Sequence, residues 1–347
     1  MRRVSTVVLL VPLLTFAFLL QSCKKSDSSP TGPSTTVSQL KANGTMTPLS
    51  RTTVQGTVFV TDQDGAPVTG LTSSNFTAKL LYGPGVPKLT ADSIVGTILV
   101  QNTTQSGKKV AVAMTMDYSG TMFAGPYDNT AQQYNRILDM ESGVKSFVNS
   151  LAVGDIAEII KFGSDVDFVF PFTSSKPALL LAVDSSSFDR GSTALYSSIY
   201  TGLQDAGAQS ASTYARAVVA FTDGGENNSS VTRSDVFAEA QLVGVPVYTV
   251  GLIDSADHSD PPGRNSLAEL DLVEIADTTG GLYYFSPNAT ELAQIYQQIS
   301  GAISNSVQVT VTWPSTNLPE SGTTVQVVMT VTYNGISTQF IRTYTMP

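Results

Sequence analysis

Two apolar runs each end in an aspartate that glycine and hydroxyl residues follow at once. Val110–Met116 (VAVAMTM) leads into Asp117-Tyr118-Ser119-Gly120-Thr121, and Ala215–Thr222 (ARAVVAFT) leads into Asp223-Gly224-Gly225. Carboxylates and hydroxyls are hard oxygen ligands, and with waters they complete the octahedral shell that Mg2+ prefers at ~2.0–2.1 Å. No Lys or Arg stands beside either aspartate in the sequence. Two such carboxylates brought together repel each other, and a hard cation is the natural remedy. Asp117, Ser119, Thr121 and Asp223 are therefore candidate metal ligands, with Mg2+ as the expected cofactor and Mn2+ or Ca2+ as substitutes.

Composition narrows the alternatives. The 347 residues hold one Cys and one His, and the formal charge is −9. A disulfide framework needs paired cysteines, a zinc site needs several Cys or His ligands, and a Ser-His-Asp mechanism would have to use His258. No basic patch or stripe marks a nucleic-acid binder, so no nucleic-acid partner is expected. Charged residues make up only 14%, against ~25% in ordinary globular domains. Ser, Thr, Asn and Gln fill the difference.

These ligands have to be placed by alternating strands and helices, which read as an α/β fold between residues 108 and 304. Val110–Met116, Asp155–Phe162, Ala215–Thr222, Pro246–Leu252 and Leu282–Phe285 read as strands. The short Gly163-Ser164-Asp165 turn forces Val166–Phe170 antiparallel to its neighbour. Tyr134–Leu151, Thr193–Ala206, Arg233–Val243, Leu267–Asp277 and Glu291–Ile303 read as helices, the last capped by Asn288. In open α/β sheets ligands bind beyond the carboxyl ends of the strands, at the topological switch point. Residues 50–107 and 305–347 are Val/Thr-rich with turn signals, and Asp64-Gly65 is a hairpin signal. Each segment is short for an independent sandwich, which takes ~100 residues. One β-sandwich with the α/β domain inserted is expected; separate β appendages, or terminal strands packed on the α/β domain, are the alternatives.

Residues 108–304 resemble a von Willebrand factor type A (VWA) domain, a Rossmann-like, doubly wound, mostly parallel sheet. VAVAMTMDYSGTM is similar to its first strand and metal-ion-dependent adhesion motif, Asp-x-Ser-x-Ser, with Thr121 in place of the last serine. The motif's threonine matches Thr193 in Arg190-Gly191-Ser192-Thr193, and its later aspartate matches Asp223. The resemblance implies that Ser119, Thr121 and Thr193 supply hydroxyls, directly or through water. Asp117 and Asp223 act through waters or those hydroxyls, and one position stays open for an Asp or Glu of a protein or peptide partner. It also implies that the last helix can couple the site to the β segment that follows.

At the N-terminus, Arg2 and Arg3 precede an apolar run from Thr6 to Leu20, the pattern of a secretory signal and short for a transmembrane helix. Leu20-Gln21-Ser22-Cys23 resembles the bacterial lipoprotein cleavage motif, with Gln21 where a small residue is usual. The resemblance implies removal of residues 1–22, lipid on the Cys23 sulfur and a membrane partner through that lipid. Lys24 points to the outer membrane or cell surface. Cleavage brings the net charge to −11, and residues 23–49 read as a flexible tether rich in Ser, Thr, Pro and Gly.

Tyr118, Phe123 and Tyr127 are expected around the metal face, either as partner contacts or as loop packing. Asp62 and Asp64 read as a turn, and His258 as part of a solvated loop. No second metal cluster, general base or nucleotide loop accompanies Asp117, so no catalytic residue is assigned. The function expected is metal-dependent protein binding or adhesion in the bacterial cell envelope. A metal-independent structural or assembly scaffold is the alternative.

Overall fold

Val/Thr-rich strands build the flanking part of the molecule and continuous apolar strands build its centre, and this difference in pattern separates one flanking core from a central sheet with a core on each face. The computed structural model describes residues 36–83, 93–102, 108–123, 136–185, 191–253, 257–259, 262–263, 266–286 and 289–347. The segment read as a signal peptide, Cys23 and Tyr127 lie outside the described residues, as do Asn288 and most of 254–265.

The first part contains β1 (Leu40–Gly44), β2 (Thr47–Ser50), β3 (Thr53–Asp62), β4 (Phe76–Leu81), β5 (Ser93–Val95) and β6 (Thr97–Asn102). The segment read as a tether up to residue 49 is thus strand from Leu40 onward: Leu40–Gly44 pairs antiparallel with Asp62–Val58. The signal was masked by Gly, Thr and Pro residues, which the sheet accommodates at its edge. At Asp62-Gln63-Asp64, the Asp62 Oδ1 accepts the N–H groups of Asp64 and Ala66, each at 2.9 Å, which makes a plain turn.

The α/β part follows with β7 (Lys109–Asp117), α1 (Gly120–Phe123), α2 (Arg136–Ser150), β8 (Ile156–Phe162), β9 (Val166–Thr173), α3 (Lys176–Asp184), α4 (Leu195–Ala208) and β10 (Tyr214–Thr222). Next come α5 (Arg233–Val243), β11 (Val247–Gly251), α6 (Leu267–Thr279), β12 (Tyr283–Phe285) and α7 (Ala289–Ser304). The chain ends in β13 (Val307–Thr312), β14 (Thr324–Tyr333) and β15 (Ile336–Thr345). No helix among the described residues is long and apolar enough to cross a membrane.

The central sheet runs β12-β11-β10-β7-β8-β9, parallel except for β9. The strand order reverses between β7 and β10. β7 is buried from Val110 to Asp117, as a parallel strand covered on both faces must be. β9 alternates exposed and half-buried residues, the pattern of a sheet margin. Helices α2 and α7 cover one face, with Ile137, Met140, Val144, Phe147 and Ile299 in its core. Helices α4, α5 and α6 cover the other, over Ala113, Ile160, Val218 and Val247.

The two β segments interleave in the flanking sandwich. β13 lies between β3 and β6 in one sheet, and β14 lies between β15 and β4 in the other. They share one core, from Val54 and Val58 through Trp313 to Val327 and Met329. The stretch Ile94–Val100, which reads as one strand, is divided: β5 pairs with β4 and β6 pairs with β13, so the chain changes sheet at Gly96. A Cβ on Gly96 would stand 2.3 Å from Val311 Cγ1 and 2.6 Å from the Trp313 ring. The sandwich also grips the α/β part. Asn43 Nδ2 donates to Gly281 O at 2.7 Å, Gln298 Nε2 donates to Asp64 O at 2.8 Å, and the Phe59 and Tyr248 rings lie 5.3 Å apart.

Glu158 on β8 is buried beside Asp205 of α4. Burial, with the Asp205 charge and hydrogen bond, pushes its carboxyl up to about 9. The folded chain therefore holds a proton that the unfolded chain releases above ~4.3. Stability falls as pH rises from about 4 to about 9. Glu158→Gln removes that slope: its melting temperature gains on the parent at pH 8 and not at pH 4, as thermal scans at the two pH values will read. Gly96→Ala overpacks the Trp313 contact and costs about 1–3 kcal/mol in urea unfolding.

Candidate metal centre

The parallel ladder puts Met116 of β7 opposite Phe221 of β10, so the two strands end side by side at the switch point. Asp117 closes β7 with no exposed surface. Its Oδ1 accepts the Ser119 N–H at 2.7 Å, and its Oδ2 accepts the Thr222 hydroxyl at 2.5 Å. The same Thr222 hydroxyl accepts the Gly224 N–H at 2.9 Å. One side chain at the end of β10 thereby fixes both the Asp117 carboxylate and the turn that carries Asp223. Gly224 has φ +78° and a Cβ there would meet Ala268 Cβ at 2.8 Å, so this turn needs glycine.

After Asp117 the chain turns into the single turn α1. Ser119 Oγ and Thr121 Oγ1 lie 3.5 Å apart. Thr121 Oγ1 donates to Asp223 Oδ1 at 2.9 Å. Thr193 sits on the loop entering α4, which is tied in from two sides. Gly120 N donates to Gly191 O at 3.0 Å, and the Thr193 N–H donates to Asn227 Oδ1 at 2.9 Å. Glu226 braces that loop, its carboxylate accepting from the N–H groups of Tyr196, Asn228 and Ser229. Ser119, Thr121 and Asp223 are thus in direct contact, Asp117 lies behind them, and Thr193 occupies the adjoining loop.

Burial, followed by the nearby Asp223 charge, pushes Asp117 up to about 7, against the opposite pull of its Thr222 and Ser119 hydrogen bonds. A buried carboxylate under like-charge pressure is a group that a divalent cation stabilises. Two carboxylates and three hydroxyls form an all-oxygen donor set suited to Mg2+. Among the described residues no three His, Cys, Asp or Glu side chains gather as a metal site. The hydroxyls are what make this cluster a candidate.

Arg136 was not apparent as a site residue. It opens α2, and its Nη1 donates to Asp223 Oδ2 at 2.8 Å and to Thr121 O at 2.9 Å. Both side chains of the ion pair are more than nine-tenths buried. The basic residue missing beside the aspartates in sequence is therefore supplied from the next helix. Its signal was an arginine four residues before Met140 on the apolar stripe of α2. Thr222 and Glu226 were missed as well, although one adjoins Asp223 in the sequence and the other follows it by three residues.

Two expectations need correction. Tyr118 does not ring the metal face. It is buried, its hydroxyl donates to Glu141 at 2.8 Å, and the Lys161 ammonium lies 4.8 Å from its ring centre. As the residue after Asp117, with its N–H on Phe162 O, it continues the strand ladder and points into the core. Phe123 is half-buried and packs 6.4 Å from Tyr118. His258 is not a solvated loop residue: its Nδ1 meets the buried Glu269 carboxylate at 2.5 Å and its ring stacks on Phe285 at 3.8 Å.

Residues 112–226 match the family model of the von Willebrand factor type A domain. The α/β part of the chain has the VWA-type fold, and the matched span runs from β7 through the Asp223 turn. No curated protein matches the chain. Among solved structures, an aerotolerance-related membrane protein from Bacteroides fragilis, with multiple mutations to serines, is 20% identical over 56% of this chain and 98% of its own (TM-score 0.44). The vWF domain of the type V pili tip protein Mfa5 from Porphyromonas gingivalis is 12% identical over 57% of this chain and 97% of its own (TM-score 0.42). Three N-terminal domains of the same pilus protein align over 87% of this chain and 76% of theirs, at 8% identity (TM-score 0.39).

The Thr222 hydroxyl is the hinge of the candidate site. Thr222→Val leaves an Asp117 oxygen and the Gly224 N–H unpartnered. In chelator it costs about 1–3 kcal/mol of unfolding free energy, whereas Thr222→Ser, which keeps the hydroxyl, costs less; urea unfolding of the two variants separates them.

Proposed function

We propose that the chain is a lipid-anchored binding module of the bacterial cell envelope, which captures an acidic residue of a protein or peptide partner through a Mg2+-type site in its VWA domain. One observation carries the reading. A fully buried aspartate and a second aspartate meet at the switch point of the sheet, with hydroxyls in contact between them. When bound, the cation supplies an electrophilic open position for a partner's carboxylate. Ser119, Thr121 and Thr193 would hold it through their hydroxyls. Asp117 and Asp223 would balance its charge, through waters or those hydroxyls. Thr222 keeps Asp117 oriented, and Glu226 keeps the Thr193 loop and the Asp223 turn together. The lipid on Cys23 would tie the module to the outer membrane or cell surface. The proposal assigns no catalytic residue.

A metal-independent scaffold is favoured by one observation, the Arg136–Asp223 ion pair, which brings a positive charge to the cluster without any metal. Calorimetry with the full chain in detergent separates the two. The metal reading expects saturable Mg2+ binding and a rise in melting temperature, both lost in Asp117→Asn. Absence of heat and of any thermal shift with Mg2+ or Mn2+ would sink it and leave the scaffold.

A further inference from the structure

Arg136 has a placement that helix formation does not explain. A cation in the first turn of a helix opposes the macrodipole, which favours acidic groups there. Arginine is also rarely buried unless it is paired, yet Arg136 lies in the apolar stripe of α2 at 6% exposure. Its guanidinium joins the backbone of Thr121 to the carboxylate of Asp223. Those are the two residues whose side chains also meet each other, Thr121 Oγ1 on Asp223 Oδ1. The cation therefore sits on the candidate site rather than on its own helix.

We infer that Arg136 is the resident counter-cation of the metal-free site and sets its affinity for divalent ions by competing with them for Asp223. The inference rests on the metal-binding reading above. Without Arg136, two ionised aspartates would just cancel a divalent ion. With Arg136, the metal, Asp117 and Asp223 together carry one formal positive charge, counted without the Glu226 carboxylate of the adjoining loop. The guanidinium thus weakens metal binding through like-charge repulsion and leaves a surplus that draws in a partner's carboxylate. It also spares the metal-free fold an uncompensated buried carboxylate at Asp223, so the domain stands with or without metal. Arg136 is in this sense an affinity-determining residue, and its role differs from that of a ligand.

The test uses the full chain in detergent, with Mg2+ alone as the probe. Wild type, Arg136→Gln, Arg136→Lys and Arg136→Gln/Asp223→Asn are compared by calorimetry and by melting in chelator and in saturating Mg2+. Expected for Arg136→Gln are a lower melting temperature in chelator, recovery in Mg2+, and Mg2+ binding tighter by about tenfold or more, since a like charge at this range is removed. Arg136→Lys keeps the charge and stays near wild-type affinity. The double variant regains stability in chelator. If Arg136→Gln folds only when Mg2+ is present, that recovery is itself the supporting result. If it fails to fold even then, wild-type-like affinity in Arg136→Lys supports the inference and a tenfold tightening overturns it. Equal destabilisation with and without Mg2+, at unchanged affinity, overturns the inference and leaves the metal reading intact. Mg2+ binding by neither protein overturns both. Binding by Arg136→Gln and not by wild type upholds the inference and overturns a metal-dependent function.

Discussion

A carboxylate with no exposed surface sets the terms for the upper edge of the central sheet. Asp117 has no exposed surface, so its charge has to be compensated within the protein. A backbone N–H satisfies one oxygen, and a hydroxyl from the neighbouring strand satisfies the other. That second bond binds the ends of β7 and β10 together where the strand order reverses, and ordinary sheet topology leaves a crevice at that point. Everything in the crevice follows from this fixed point. The Asp223 turn hangs from Thr222, the Thr193 loop hangs from Gly120 and from Asn227, and Arg136 closes the cluster from α2. An unpaired buried charge would cost several kcal/mol, which is why so many partners converge on so few atoms.

The sandwich is not a mere appendage to this domain. Its strands come from both sides of the inserted α/β part, with β13, which follows α7 in the chain, placed between β3 and β6. Folding of the two parts is thereby linked by long-range pairing, the kind that closes slowly. The same linkage fixes α7 at its far end. Gln298 donates to the turn before Pro67, and Gly301 packs within 2.9 Å, measured from a notional Cβ, of the Pro67 ring. Near its middle, Tyr296 fills the space over Gly143 of α2. A sliding motion of α7 would have to break contacts with α2 and with the sandwich together.

Legibility in the sequence followed the strength of local periodicity. The strands at 110–116 and 215–222, apolar but for Thr115, Arg216 and Thr222, announced a central parallel sheet, because burial on both faces leaves few polar positions. Helix α5 could be bounded at both ends, since Thr232 and Asp235 form a reciprocal cap and Gly244 adopts a left-handed C-terminal conformation. Helix α3 escaped notice: PALLLAV is too short and too uniformly apolar for its period to separate helix from strand. Strands β1 and β2 were hidden in Thr, Gly and Pro residues, whose strand character comes from pairing with β3 rather than from propensity. At the site, the ligand types could be read from the chain because they adjoin strand ends. Arg136 could not, because its partner lies 87 residues away and only the tertiary fold makes them neighbours.

The charge of the whole chain sharpens what the site has to do. On the proposed reading a partner must bring a carboxylate toward a mature protein of net charge −11. Long-range repulsion therefore works against the encounter, and only within about 8 Å, the screening length at physiological salt, does the local charge decide. A surplus positive charge confined to the crevice serves that purpose better than a broadly basic surface. It rewards a carboxylate that reaches the strand ends and gives nothing to acidic groups passing at a distance. A metal whose charge was wholly cancelled by Asp117 and Asp223 would not provide that discrimination. On that reading the guanidinium beside Asp223 tips the balance, and its burial confines its effect to the crevice.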